Sequence, residues 1–498
     1  MTVKKHNQGK SYVILLFAMI LFVFSNGRWV VPLAAWIAPI FLLTYLSRTN
    51  AYKGLIILFV LFTLFTYLML YGIIPSHLGV LTYLLVVYYA LLWLFPFIIY
   101  RIFANKISGF WSTLFFPVAA VSVEYLNTIF FGSWASVSYT QFNNLALIQI
   151  SSVFGIWGVT FLVMWFASSV HWIISQKYCW VKIKKGILIY SIVLLSVLIF
   201  GEVRLKINSP QSKTATITSF TATREIKNYF NELKLHGYTS RIKMAKEDRP
   251  QLALILDKIH DDIFQRSDEL LQLETELIFW PEGMIDVLEE QEPDFINKAI
   301  DMARDNKVYL LISYLVIPEN NPSDSKENKS VLVNPIGSVE WEYHKSFRVP
   351  GSTNKKGDRV LPISNTPFGL LSTSICYDMD FTHLINQAGN ANIDIMLVPA
   401  WDWSAINPLH ARMAVYRAIE NGFSMVRQTG EGLSIAVDYC GRILNSMDYF
   451  TTDNQVMISH IPTRGRATIY ATIGDLFAQF SLALLIFGMI RVKIKRLN

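Results

Sequence analysis

Cysteine is scarce: there are three in 498 residues, Cys179, Cys376 and Cys440, far apart and without a Cys-x-x-Cys pair. An odd, scattered set excludes a disulfide framework and a cysteine-rich zinc site. Histidine is also sparse, and His344, His383 and His410 lack the spacing of a ligand set, so neither metal nor cofactor is expected. Charge is the third shortage. Charged residues make up 16% of the chain and few fall between Ser11 and Gly201, whereas Glu202 to His460 has the balance of a globular domain. No nucleic-acid-binding motif accompanies the net charge of +7, which excludes nucleic acid as a partner and leaves the excess as an orientation signal. No segment repeats another. What is abundant is apolar: 52% of residues are hydrophobic and the mean hydropathy is +0.35, too high for an ordinary soluble protein.

Apolar segments run at 12–25, 29–46, 55–73, 80–100, 110–128, 147–174 and 186–201, with one more at 473–490. Most approach the ~20 residues that a helix needs to cross a bilayer; the first and seventh are marginal. Lys4, Lys5 and Lys10 precede the first, but no small-residue cleavage site follows, so it reads as a helix and not a signal peptide. These segments define a membrane domain over 1–201 with about seven spans and a further span at 473–490. Lysine and arginine then orient them. The three N-terminal lysines, Arg48 with Lys53, Arg101 with Lys106, Lys177 with Lys182, Lys184 and Lys185, and Arg491 with Lys493, Lys495 and Arg496 alternate with loops that carry only Arg28. By the positive-inside rule both termini are cytoplasmic and the large domain before the last span is external.

Two features of the membrane half bear on function. Glu124 falls within the fifth span, where an ionisable group is a functional candidate or a carboxylate that pairs with a polar neighbour. The external stretch Phe131 to Gln141, which contains Trp134, Ser138, Tyr139 and Thr140, is rich in aromatic and hydroxyl residues. It either anchors at the headgroup level or lines a lipid entrance.

After a polar connector at 202–213, strand-like and helix-like runs alternate. Strands are expected at 215–220, 276–280, 308–317, 331–334, 339–343, 370–375, 393–398, 423–428, 433–438 and 455–461. Helices are expected at 250–273, 293–306, 380–388 and 408–421. Alternation with some hairpins indicates a layered α/β domain of about 250 residues. Residues 319–329 read as an exposed polar loop. His410 and Arg417 fall on one helix and read as structural.

Three strand ends carry chemistry. The run Leu370 to Ile375 delivers Cys376 to its carboxyl end, as α/β proteins deliver nucleophiles, although a lone cysteine there is more often core. Glu282, in Trp280-Pro281-Glu282-Gly283, is a shielded carboxylate suited to general-base work. Lys345 follows a hairpin strand in Tyr343-His344-Lys345, where its ammonium can stabilise an oxyanion and favour a nearby thiolate.

In this order, at three strand ends, Glu282, Lys345 and Cys376 resemble the Glu-Lys-Cys triad of the nitrilase superfamily of carbon–nitrogen hydrolases. The resemblance implies Glu282 as base and acid, Lys345 as transition-state stabiliser, Cys376 as nucleophile, and an α-β-β-α sandwich over 214–462. Several spans before such a domain and one after it are similar to the apolipoprotein N-acyltransferase family. The likeness extends to Glu124, Trp134, Ser138 to Gln141, Gln149 and Gly155-Ile156-Trp157-Gly158. It implies a fold made of a multi-span α-helical membrane domain and an α/β nitrilase-like extracytoplasmic domain, in the bacterial inner membrane. It implies acyl transfer from a phospholipid donor, through a cysteine thioester, to the amine of a diacylated apolipoprotein, with Tyr377, Asp378, Trp401, Glu124 and Trp134 as supporting or substrate-binding residues. The sequence departs from the family pattern after Lys345. Arg348-Val349-Pro350-Gly351 stands where the family carries a Val-Pro-Phe-Gly-Glu segment, so a second glutamate is missing; the stretch before Cys376 is short, and Cys-Tyr-Glu becomes Cys376-Tyr377-Asp378. Asp378 or Asp358 is a candidate to compensate. The departures keep two alternatives open: a membrane-anchored amidase or hydrolase, and a silent lipid- or lipoprotein-binding paralogue.

Overall fold

The computed structural model describes residues 8–75, 78–103, 106–208, 213–235, 237–238, 240–320 and 326–497. Lys4 and Lys5, residues 209–212 of the expected connector and residues 321–325 of the expected polar loop lie outside them. The chain divides into two compact units, 1–209 with 473–498, and 210–472.

The first unit is helical, as its long apolar runs require. Five helices are long and apolar enough to cross a membrane: Ala51–Met69, Val80–Phe103, Phe110–Phe131 with its leading 3₁₀ turn, Ile156–Ser175 and Trp180–Ile207. Ser11–Val23, Pro32–Arg48, Leu145–Phe154 and Leu476–Arg491 are apolar but shorter. Leu42, Leu46, Leu58, Phe62, Phe97 and Phe116 fill one core between the first five of these helices in the chain.

Two boundaries differ from the sequence reading. The segment read as one span over 147–174 is broken: short helices Leu145–Ile148 and Ser151–Phe154 precede Ile156–Ser175. Gly155 makes the break at φ +64°, a left-handed conformation that glycine adopts without steric cost. The segment read as 186–201 extends to Trp180–Ile207, so 202–207 of the expected connector are helical. Arg204, which reads as polar connector, is buried there and donates to Gln149. A buried, bonded guanidinium is invisible to hydropathy.

The second unit contains thirteen strands among the described residues: Thr214–Phe220 (β1), Leu277–Phe279 (β2), Ile285–Leu288 (β3), Tyr309–Ile317 (β4), Glu327–Val333 (β5), Val339–His344 (β6), Ile363–Thr366 (β7), Gly369–Thr373 (β8), Ile395–Ala400 (β9), Ser424–Thr429 (β10), Leu433–Val437 (β11), Ile443–Asp448 (β12) and Val456–Pro462 (β13). One sheet has the order β13-β1-β2-β4-β5-β6, with β3 also on β4; the other runs β12-β11-β10-β9-β8-β7. β2 is parallel to β1 and β4, and β9 is parallel to β8 and β10. Such strands are apolar on both faces because both are covered. On the inner side Ile217, Leu277, Phe279, Leu311 and Leu332 meet Leu371, Ile395, Leu397 and Val426. On the outer side of the first sheet, helix Arg249–Leu270 contributes Leu252, Leu256, Ile259 and Ile263, and helix Glu292–Asn306 contributes Phe295 and Ala299. Helices Thr382–Asn390 and Leu409–Asn421 pack together beside the second sheet, the latter on β10 and β11. The result is the four-layer α-β-β-α sandwich.

The reading missed β3, β7, β12 and the helices Thr223–Leu235 and Arg241–Glu247. It also started β5 too late. Residues 327–329, read as exposed loop, are strand, and Asn328 and Lys329 are buried. Lys329 is matched by Glu292 at 2.6 Å and by Glu327 and Glu342 at 3.1 Å, and this local neutralisation is what admits a lysine to the interior.

Candidate active site

Three turns converge in the second unit. β2 ends at Phe279 and the chain turns through Trp280, whose indole N–H donates to Ser267 Oγ at 3.0 Å, to reach Glu282. Gly283 follows at φ +53°, against Leu315. β6 ends one residue before Lys345, whose backbone N–H is fixed by the Asn328 carbonyl at 2.9 Å. β8 leads through Ser374 and Ile375 to Cys376, which opens a 3₁₀ turn over Cys376–Asp380. Cys376 has φ +49°, unusual for a residue with a Cβ and costly unless its surroundings hold it. A sharp turn of this kind presents the side chain beyond the end of the strand.

The Lys345 ammonium donates to Glu282 Oε1 at 2.5 Å, and both groups are buried. Asn328 Nδ2 donates to the same oxygen at 2.7 Å, leaving Oε2 without a partner among the described residues. Burial opposes the charge on Lys345, but attraction to Glu282, Cys376 and Asp378 outweighs it and holds the ammonium well above its ordinary range. The cysteine sulfur lies 3.8 Å from the Trp401 carbonyl. Carboxylate, ammonium and thiol are all buried, and the ammonium is attracted to both of the others.

Asp378 is the knot of the site. Oδ2 accepts from Tyr343 Oη at 2.7 Å and from the N–H groups of Ser346 and Ile375 at 3.2 Å; Oδ1 accepts from the N–H of Phe347 at 2.7 Å. One side chain therefore ties the segment after Lys345 to the strand end before Cys376. Burial pushes its carboxyl up to about 6, with Lys345 and these donors pulling the other way. Asp358 is exposed and caps its own turn at Val360 N–H. Tyr377 is buried edge-on to Phe381. Glu124 and Trp134 lie in the helical unit. Glu124 accepts from Val137 N–H at 2.9 Å and from Ser136 and Thr160 hydroxyls at 2.8 Å each, so its carboxylate ties the loop after its helix to helix Ile156–Ser175. The Trp134 carbonyl accepts from Asn127 at 3.2 Å.

Behind the nucleophile lies a cluster that sequence reasoning missed. Asp402 accepts both Nη atoms of Arg427 at 2.8 Å and His410 Nδ1 at 2.8 Å, while His410 Nε2 is 3.3 Å from Asp380 Oδ2. Burial works against the imidazolium, yet the two aspartates raise His410 well above its ordinary range. Arg427 and His410 hold Asp402 below the carboxylate range against the effect of burial. Cys376, Asp402 and His410 sit close enough to suggest a metal site, but the carboxylate and Nδ1 are spent on each other and a guanidinium fills the cluster. Glu327, Glu342 and His344 form a second such group, already neutralised by Lys329 and Lys355. Neither donor set fits a cation. Asn328 was missed because it stands between two charged residues, and the Asp402 cluster because its members are scattered.

A four-layer sandwich with a buried carboxylate–ammonium pair beside a cysteine on a strained turn defines a carbon–nitrogen hydrolase-type enzyme. Comparison with known proteins carries this further. Residues 245–470 match the family described as carbon-nitrogen hydrolase, and residues 14–169 match the apolipoprotein N-acyltransferase N-terminal domain. Apolipoprotein N-acyltransferase 1 of Treponema denticola is 25% identical over 458 residues, 82% of each chain. The apolipoprotein N-acyltransferase of Haemophilus influenzae is 23% identical over 78% of this chain and 76% of its own. Among solved structures, an amidase from Nesterenkonia sp. is matched over 51% of this chain and 92% of its own, with 18% identity and a TM-score of 0.37. Over most of its length the chain is similar to apolipoprotein N-acyltransferases, and it is an acyltransferase with a carbon–nitrogen hydrolase domain.

Proposed function

We propose that this protein moves a fatty acyl chain from a phospholipid, through a thioester on Cys376, to the N-terminal amine of a diacylglyceryl-cysteine lipoprotein at the outer face of the bacterial inner membrane. The observation that carries the proposal is the shared oxygen: Glu282 Oε1 is held by Lys345 and Asn328, which leaves Oε2 to handle protons. Glu282 takes the thiol proton while Cys376 Sγ bonds to the ester carbonyl carbon, and the carbonyl oxygen becomes an oxyanion beside the Lys345 ammonium. Collapse breaks the ester C–O bond, and the lysophospholipid oxygen leaves with the proton from Glu282. The lipoprotein amine then attacks the thioester, gives its proton to Glu282, and expels Cys376, which is reprotonated. An oxyanion donor of this kind supports about 10²–10³ in rate, and two half-reactions on one nucleophile give ping-pong kinetics. The membrane domain, with both termini cytoplasmic, supplies both lipidated substrates laterally.

The test is complementation in cells depleted of their own N-acyltransferase, with the lipoprotein N-terminus read by mass spectrometry. Restored N-acylation is expected from the wild type and none from Cys376→Ala; a Cys376→Ala protein that still transfers acyl chains sinks the proposal. The absence of a glutamate in Arg348-Val349-Pro350-Gly351 favours a second reading, hydrolysis with water as acceptor. Release of free fatty acid at the same rate with and without a lipoprotein amine would support it.

A further inference from the structure

The segment that departs from the family pattern is basic. Between Ser346 and Val360 it carries Arg348, Lys355, Lys356 and Arg359 against Asp358 alone. It also closes back on the catalytic lysine. Gly357 N–H donates to the Lys345 carbonyl at 2.9 Å, and a Cβ on Gly357 would stand 2.2 Å from the His344 carbonyl oxygen, so the chain returns within backbone contact of its own start. Lys355 is occupied by Glu327 at 2.6 Å. Arg348 and Arg359 are exposed, and neither guanidinium has a hydrogen-bond or ion-pair partner among the described residues.

Arg359 is not a loose surface side chain. Its backbone is left-handed at φ +65°, a strained state for a residue with a Cβ. Gln387 of helix Thr382–Asn390 pins it, donating to the Arg359 carbonyl at 2.9 Å and accepting from Leu361 N–H at 3.1 Å. Its guanidinium lies 4.8 Å from the centre of the Phe347 ring. Phe347 stacks on Phe381 at 3.5 Å, and Phe381 meets Tyr377, the neighbour of Cys376, at 5.2 Å. Phe347 itself is fixed by its N–H bond to Asp378. Three rings thus carry a pre-oriented, unpaired guanidinium from the nucleophile turn to solvent. A planar fork held in this way matches the paired oxygens of a phosphate ester better than an ammonium would.

We infer that Arg359, seconded by Arg348, binds the phosphate of the acyl donor and makes the site select phospholipids over neutral acylglycerols. This rests on the acyl-transfer reading and adds the recognition element to it. The test uses the full-length protein in neutral detergent micelles, with phosphatidylglycerol or diacylglycerol of the same acyl chains as donor, and follows acylation of Cys376 by intact mass. The wild type is expected to prefer phosphatidylglycerol. Arg359→Gln is expected to lose about tenfold to a hundredfold on that donor, the range for a charged hydrogen bond, with no change on diacylglycerol, and Arg359→Lys to recover part of the loss. Equal loss on both donors, or an unchanged preference, overturns the inference while leaving acyl transfer standing. Inhibition of both reactions by inorganic phosphate, absent in Arg359→Gln, assigns the site to a free anion and overturns the donor assignment. A wild type that is acylated by neither donor overturns acyl transfer, and this inference with it.

Discussion

Replacing Asp378 with asparagine should separate stability from activity, because the same carboxylate is costly to bury and necessary to keep. Its folded value of about 6, against an ordinary value near 3.8, corresponds to roughly 3 kcal/mol favouring the protonated form inside the protein. Between these values the folded state holds a proton that the unfolded state has released. This group's contribution to stability is therefore greatest below about pH 4 and falls as pH rises through about 6. The amide of the Asp378→Asn variant is neutral throughout, so the variant's stability relative to wild type should rise by roughly 3 kcal/mol between pH 4 and pH 7. Activity should move the other way. With the amide oxygen kept on the side of Tyr343, Ser346 and Ile375, the amide nitrogen must face the Phe347 N–H, donor against donor, where 2.7 Å now separates donor from acceptor. Losing one charge-assisted bond there costs about 1.5–3 kcal/mol. Expressed in the transition state, that is about tenfold to a hundredfold in the rate of Cys376 acylation. The wild-type rate should also fall below about pH 6, as protonation removes the same acceptor. The assays are chemical denaturation and single-turnover acylation, each for both proteins from pH 4 to 8. An Asp378→Asn protein with wild-type turnover, or a stability difference that does not change with pH, would refute the reasoning.

Asn328→Ala should leave thermal stability within about 1–3 kcal/mol, the range for one buried hydrogen bond, but slow Cys376 acylation more than it weakens donor binding, seen as a fall in kcat with little change in KM. Asp402→Asn should destabilise strongly, by about 3–5 kcal/mol in denaturant titration, because Arg427 and the His410 imidazolium would remain buried with one counter-charge removed. Cys376→Ser should accumulate an ester-linked acyl group on incubation with phospholipid, visible by intact mass; its repeated absence would count against the covalent route. A reporter fused after Asn498 should be active only in the cytoplasm, and external activity would overturn the charge-derived topology.

The sandwich was legible because its strands are buried and its helices two-faced. β4 and β9 read as apolar runs, and helix Arg249–Leu270 repeats Leu252, Leu256, Ile259 and Ile263 at helical spacing. The strands that escaped are short edges or polar: β7 is Ile-Ser-Asn-Thr and β12 is Ile-Leu-Asn-Ser-Met-Asp. The reading also named Glu282, Lys345 and Cys376, because each follows a strand signal, and Asp378 through the family resemblance. It gave no role to Asn328, Asp402 or Arg427. Their meaning comes from partners 46, 8 and 25 residues away in the chain, and a buried pair of opposite charges looks, one residue at a time, like two surface residues.

We propose that this pairing stands in for the second glutamate that the family pattern would supply. Two jobs are separable: holding the lysine–glutamate pair, and holding the segment after the lysine. Asn328 answers the first, with its side chain on Glu282 and its backbone carbonyl on Lys345 N–H. Asp378 answers the second, on Ser346 and Phe347. The division has a consequence for the nucleophile. Asp378 also accepts from Ile375, one residue before the left-handed turn at Cys376, so strain at the thiol and order in the basic segment are secured by one carboxylate. Anything that shifts the segment, including a donor headgroup on Arg359, is mechanically linked to the turn that presents the sulfur.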